Sequence, residues 1–204
     1  DRGLQHAIVS LHSHVPSVSA RIFGTREQEH HLTLRGIEAL LVCGVEVMLN
    51  CVLTRYNLHH LAEFVGFVAA NLGSDCDLKI AFPNDSGVGK FWEGVDLRYS
   101  EVKPFIGEAQ QAADELGLAL HFEGIPNCVH GNPEPRNFGR SQFGETHYLD
   151  ERSGRVLRQI NQLEQQAAHF SPSCAKCRAA NVCSGVTAAY CQQNGFDELK
   201  PIPS

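Results

Sequence analysis

Four short apolar runs recur along this chain at intervals of roughly 35 to 40 residues, each separated from the next by a stretch of helical period. The first, residues 4–14, is β-branched at its centre and ends in Ser10, His12, Ser13 and His14. The others span 45–54, 77–82 and 118–123. Between them, Leu34, Ile37, Leu40 and Leu41 mark a helix over 25–43 with Gly44 at its C-terminal cap. A second helix is predicted over 58–72, capped by Asn57 and closed by Gly73, and a third over 100–116, stopped by Gly117. Strands that alternate with helices pair in parallel through right-handed crossovers. Strands that are apolar almost throughout need helices over at least one face. The class is α/β. Four strands are too few to close an eight-stranded barrel, so the expectation is a partial TIM-like (β/α) barrel lacking its first units. Its chemistry would sit at the carboxyl ends of the strands.

The second constraint lies near the end of the chain. Cys174, Cys177 and Cys183 are spaced C-x2-C-x5-C, three thiols within ten residues. A two-residue turn brings a pair of β-carbons together, and three thiolates so close repel one another unless a cation neutralises them. Metal ligation is therefore the reading. A fourth ligand has to come from elsewhere. The fourth strand runs into Gly124-Ile-Pro-Asn-Cys128, which puts a thiol at the same sheet edge. Cys128 is the expected fourth ligand, with Cys191 and His130 as rivals. Residues 129–153 are rich in Gly, Pro, Asn and Arg and read as a long loop; a helix over about 156–170 then leads into the cysteines. This divides the chain into a barrel portion, 1–124, and a cluster-binding extension, 125–204.

Composition removes several classes of function. The 204 residues carry a formal charge of -6 and no basic run, which argues against nucleic-acid binding driven by charge. No apolar run reaches the roughly 20 residues that cross a bilayer, and no signal peptide opens the chain, so no membrane association is expected. Of eight cysteines three cluster and five scatter, a pattern of a reducing compartment, hence a cytoplasmic location. Cys43, Cys51 and Cys76 read as small buried hydrophobes, and His30-His31 and His59-His60 as solvated helix faces. His12 and His14 alternate on a strand end, where imidazoles turned to the barrel mouth would relay a proton; they are the weak catalytic candidates. Arg136, Arg140 and Arg155 would suit a carboxylate or phosphate. The chain opens at Asp1 without an initiator methionine and reads as part of something longer.

Val9-Ser-Leu-His12, the helix Thr33-Leu-Arg-Gly-Ile-Glu-Ala-Leu-Leu and the run from Gly44 to Asn57 resemble the later half of a radical S-adenosylmethionine (radical SAM) enzyme core. The tail, from Cys174 through Cys183-Ser-Gly-Val to Tyr190, Gly195 and Glu198-Leu-Lys-Pro-Ile202, is similar to the C-terminal SPASM or twitch extension of that superfamily. The resemblance covers nearly the whole chain, more sharply in the tail. It implies an auxiliary [4Fe-4S] cluster on Cys128, Cys174, Cys177 and Cys183. Thr187 stands where the SPASM pattern continues with cysteine, so one auxiliary cluster is implied rather than two. The family's catalytic triplet, C-x3-C-x2-C, is absent, and the Gly-Gly-Glu-like element with it. Both, with S-adenosylmethionine and a second [4Fe-4S] cluster, would belong to a full-length parent, and the fragment alone would be inactive. By resemblance, Ser10 and Asn50 contact S-adenosylmethionine and Phe82 flanks it. The implied reaction is hydrogen abstraction by a 5′-deoxyadenosyl radical, on a peptide substrate, with a flavodoxin or ferredoxin as electron donor. Two other classes stay open: a structural zinc module on the same four thiols, and a non-redox α/β-barrel enzyme using strand-end His and Asn.

Overall fold

A computed structural model describes residues 3–73, 76–83, 94–133, 147–149, 156–159 and 169–203. Four strands, β1 (His6–Ser10), β2 (Glu46–Val52), β3 (Cys76–Ala81) and β4 (Leu120–Glu123), form one all-parallel sheet in the order β1-β2-β3-β4. The crossovers are α1 (Pro16–Phe23) with α2 (Glu27–Val42), then α3 (Leu61–Leu72), then α4 (Tyr99–Leu116). A one-turn helix α5 (Asn127–His130) follows β4, and α6 (Ala188–Asn194) lies in the tail. Among the described residues no helix is long and apolar enough to cross a membrane.

Successive side chains of a strand point to opposite faces, and here the two faces are chemically different. Val47, Leu49 and Cys51 of β2, Leu78 and Ile80 of β3, and Leu120 and Phe122 of β4 face the helices. They are buried against Phe64, Val65 and Val68 of α3 and Val102, Ile106 and Ala109 of α4. This is the core. On the opposite face the register aligns Ser10 with Asn50, Asn50 with Lys79 and Lys79 with His121, a polar row across all four strands. The Lys79 ammonium donates to the Glu123 carboxylate on the same face, and His121 Nε2 lies 3.5 Å from Asp77. Strands apolar almost throughout were the expectation; β3 and β4 alternate instead.

Five local expectations change. Residues 16–23, which lie between the first predicted strand and the first predicted helix, form α1: Pro16 supplies a fixed φ at its first position, and Ser13 Oγ accepts from Val15 N–H at 3.0 Å just before it. Asn57 does not cap the next helix. That segment starts as a 3-10 turn, Leu58–His60, and the Asn57 amide ties strand ends together. Residues 156–159 of the expected helix are strand β6 (Val156–Gln159), antiparallel to β5 (His147–Leu149) inside the expected long loop; 160–168 lie outside the described residues. Cys43 is exposed and His30 is buried, against expectation, whereas Cys51 and Cys76 are fully buried as expected.

Candidate metal centre

β4 ends in the positive-φ residue Gly124 (φ 67°), where the chain turns away from the sheet. Pro126, fixed in φ, then starts α5, whose turn is closed by Val129 N–H on Pro126 O at 2.8 Å and by Gly131 in the left-handed conformation. Cys128 is carried on that single turn. In the tail, Pro172–Lys176 is a 3-10 helix and a run of tight turns follows. Cys177 N–H donates to Cys174 O at 3.0 Å, Ala180 N–H to Cys177 O at 2.9 Å, and Cys183 N–H to Ala179 O at 2.9 Å. A bridge between His169 and Val186 closes the segment at its base.

The four cysteines line one cavity, whose walls also include Phe170, Val186, Phe196, Leu199 and Pro201. Three of the sulfurs have polar neighbours that suit an anionic sulfur. Gly185 N–H donates to Cys183 Sγ at 3.4 Å, Ile202 N–H to Cys177 Sγ at 3.3 Å, and Ser171 Oγ lies 3.5 Å from Cys174 Sγ. Burial pushes the Cys128 thiol up to about 11, and the thiolates of Cys183, Cys177 and Cys174 push the same way against the Lys103 ammonium. A cation among these sulfurs would turn that repulsion into attraction. In donor chemistry the set fits a thiophilic metal or an iron–sulfur cluster. As the side chains stand, no three or more His, Cys, Asp or Glu among the described residues are drawn together as a closed ligand set.

The rivals for the fourth position stand elsewhere. The His130 ring stacks on Phe122 at 4.8 Å and its Nδ1 accepts from Asn132 N–H, while Cys191 packs against the core from α6. Neither lines the cavity.

Ser10 and Asn50 are brought together as register partners at the carboxyl ends of β1 and β2. Ser10 is exposed, and Asn50 Oδ1 is buried with no hydrogen-bond partner. Phe82 is not with them: its ring packs on Tyr99 at 4.4 Å and on Tyr190 at 5.6 Å, toward the tail. His12 and His14 lie beyond the end of β1 and turn toward the helices. His12 stacks on Phe23 at 4.6 Å, and its Nδ1 accepts from Val52 N–H at 3.2 Å, so Nε2 carries the proton of the neutral ring. Burial lowers His12 to about 4, with a hydrogen bond to the Asn50 backbone acting the other way. His14 packs on Phe67 at 5.8 Å, and burial lowers it while Glu63, 3.8 Å away, opposes. Asn84, Asp85, Ser86, Gly87, Arg136, Arg140 and Arg155 lie outside the described residues.

Two groups escaped the sequence reading. One is the polar face of Asp77, Lys79, His121 and Glu123, signalled by strict alternation with Leu78, Ile80, Leu120 and Phe122. The other is the bonding of Tyr99 to Tyr190 and Glu198 across about ninety positions: the tail pattern contains Tyr190 and Glu198, but nothing in it points to Tyr99.

No family model, no curated protein and no solved structure matches this chain.

Proposed function

We propose that this chain is the C-terminal part of a radical SAM enzyme, a partial (β/α) barrel whose extension holds one auxiliary [4Fe-4S] cluster on Cys128, Cys174, Cys177 and Cys183. The observation that carries the reading is the convergence of four thiols from two distant segments on one apolar cavity, with backbone N–H groups aimed at two of them. When bound, such a cluster supplies a one-electron store at a low potential. The protein's own work is separable into parts. Four thiolates complete the coordination, which favours electron transfer over direct ligation of substrate. Val186, Phe196 and Leu199 form an apolar wall beside the sulfurs. The N–H groups of Gly185 and Ile202 withdraw charge from Cys183 and Cys177, which raises the reduction potential. Ser10 and the unsatisfied Asn50 Oδ1 are the proposed contacts for S-adenosylmethionine, with the substrate, a peptide, over the polar row of the sheet.

Anaerobic reconstitution with iron and sulfide tests this. A brown protein holding about four irons and four sulfides per chain, lost in Cys174→Ala and Cys177→Ala, is the expected result. The all-thiolate set also suits tetrahedral zinc, which makes a structural zinc module the competing reading. A colourless protein that takes up one zinc and no sulfide would replace the cluster with that module.

A further inference from the structure

Body and tail of the chain meet at the N-terminus of α4. A helix leaves its first N–H groups without intrahelical partners; here the Arg98 carbonyl accepts from Glu101 N–H at 3.0 Å and Val102 N–H at 3.2 Å, which leaves those of Tyr99 and Ser100. Side chains of the tail accept these two. Tyr99 N–H donates to Tyr190 Oη at 2.9 Å, and Ser100 N–H to Glu198 Oε2 at 2.8 Å. The Tyr190 hydroxyl donates in turn to Glu198 Oε1, which Arg98 approaches at 3.6 Å. A carboxylate in that position also complements the helix dipole. The rings of Tyr99 and Tyr190 pack at 4.1 Å.

The same turns of α4 reach the other half of the cysteine cavity. The Tyr99 hydroxyl donates to Gly124 O at 2.7 Å, where the chain leaves β4 toward Cys128. Lys103, one turn along, donates to the backbone carbonyl of Cys128 itself at 3.0 Å. Tyr190 and Glu198 follow Cys183 in the tail by seven and fifteen positions. One helix end therefore grips both segments that supply thiols.

We infer that Tyr190 and Glu198 are positioning residues, a latch that sets the tail against α4 so that an incoming metal meets Cys128 together with the three tail sulfurs. The inference rests on the four-thiolate reading of the cavity and is indifferent to which metal occupies it. Without the latch the tail keeps its own turns and its three cysteines, and loses Cys128.

The test is an anaerobic titration of the metal-free protein with Co2+ alone, since the thiolate-to-cobalt charge-transfer absorption grows with the number of bound sulfurs. Cys128→Ser sets the three-sulfur reference, at about three quarters of the wild-type intensity per cobalt. Tyr190→Phe, which keeps the ring, and the milder Glu198→Gln are each expected to fall to that reference at saturation. A role confined to stability would lower the melting temperature and leave the intensity per bound cobalt at the wild-type value; that outcome in both variants overturns the latch. Coincidence of wild type and Cys128→Ser overturns the four-sulfur centre itself, and the latch with it.

Discussion

Asn57, 2 % exposed, holds the ends of two strands with a single amide. Its Nδ2 donates to His12 O at 2.8 Å and to Val52 O at 2.9 Å, while its Oδ1 accepts from Thr54 N–H at 2.8 Å and from Thr54 Oγ1 at 3.1 Å. Asn57→Ala would leave buried donors and acceptors unpaired, with an expected loss of about 3 kcal/mol in urea unfolding. Asn57→Asp is expected to do no better, because it removes both donors and sets a carboxylate against two carbonyls. His12 beside it makes the fold acid-sensitive. Its folded value, about 4, lies below the ordinary 6.5, so the unfolded chain binds the proton first. Its contribution is complete above about 6.5 and fades as pH falls toward 4, by about 1.4 kcal/mol per pH unit at most. Unfolding at about pH 7 and about pH 5 should therefore show a larger drop for wild type than for His12→Gln; equal drops would dismiss the assignment. Burial shifts His14 and His30 in the same direction, so part of the dependence survives the substitution.

Among the elements, β4 joins core and site, since Phe122 fills the helix-covered face while His121 and Glu123 occupy the polar one. Phe122→Ala is expected to cost about 3–5 kcal/mol by calorimetry or denaturant. Glu123→Gln, which takes the counter-charge from the buried Lys79 ammonium, should cost about 1–3 kcal/mol. What could be read at this scale followed from how local the cause was. The helices ending at Gly44 and Gly117 announce themselves, because their periodicity and the positive-φ glycine are both local. Cys174, Cys177 and Cys183 are legible for the same reason. α1 was not, as Pro16, Ser17 and Ser19 weigh toward a loop and only burial of Ile22 decides for a helix. The strand at 156–159 was missed because its partner at 147–149 sits in a stretch without period. Cys128 could be proposed from topology, as the thiol just past the last parallel strand. The polar row could not, because each of its members comes from a different strand and only register brings them together.

For the molecule as a whole, a metal bound by Cys128 and the tail cysteines would add a third link between two segments that already meet in the core and at the end of α4. The tail packs on the core of the sheet through Val186 and Tyr190, and it leans on α4 through Tyr190 and Glu198. Metal saturation at about a thousand times Kd should stabilise the native state by about 4 kcal/mol. Hydrogen exchange should divide accordingly: on adding a chelator, amides of 124–131 and 169–203 should lose protection together, while those of β2 and β3 keep theirs. Uniform loss through the sheet would mean that the two parts are not separable.

Placing one thiol just after β4 and three beyond position 170 also has a genetic consequence. A metal held by all four thiols would close the chain between them, which contains the β5–β6 pair, into a ring, and the entropy of closing a flexible ring rises only with the logarithm of its length. Doubling it would cost about 0.6 kcal/mol. Insertions there would therefore cost a metal on these sulfurs little, so that interval can change in length while the sulfur positions stay put.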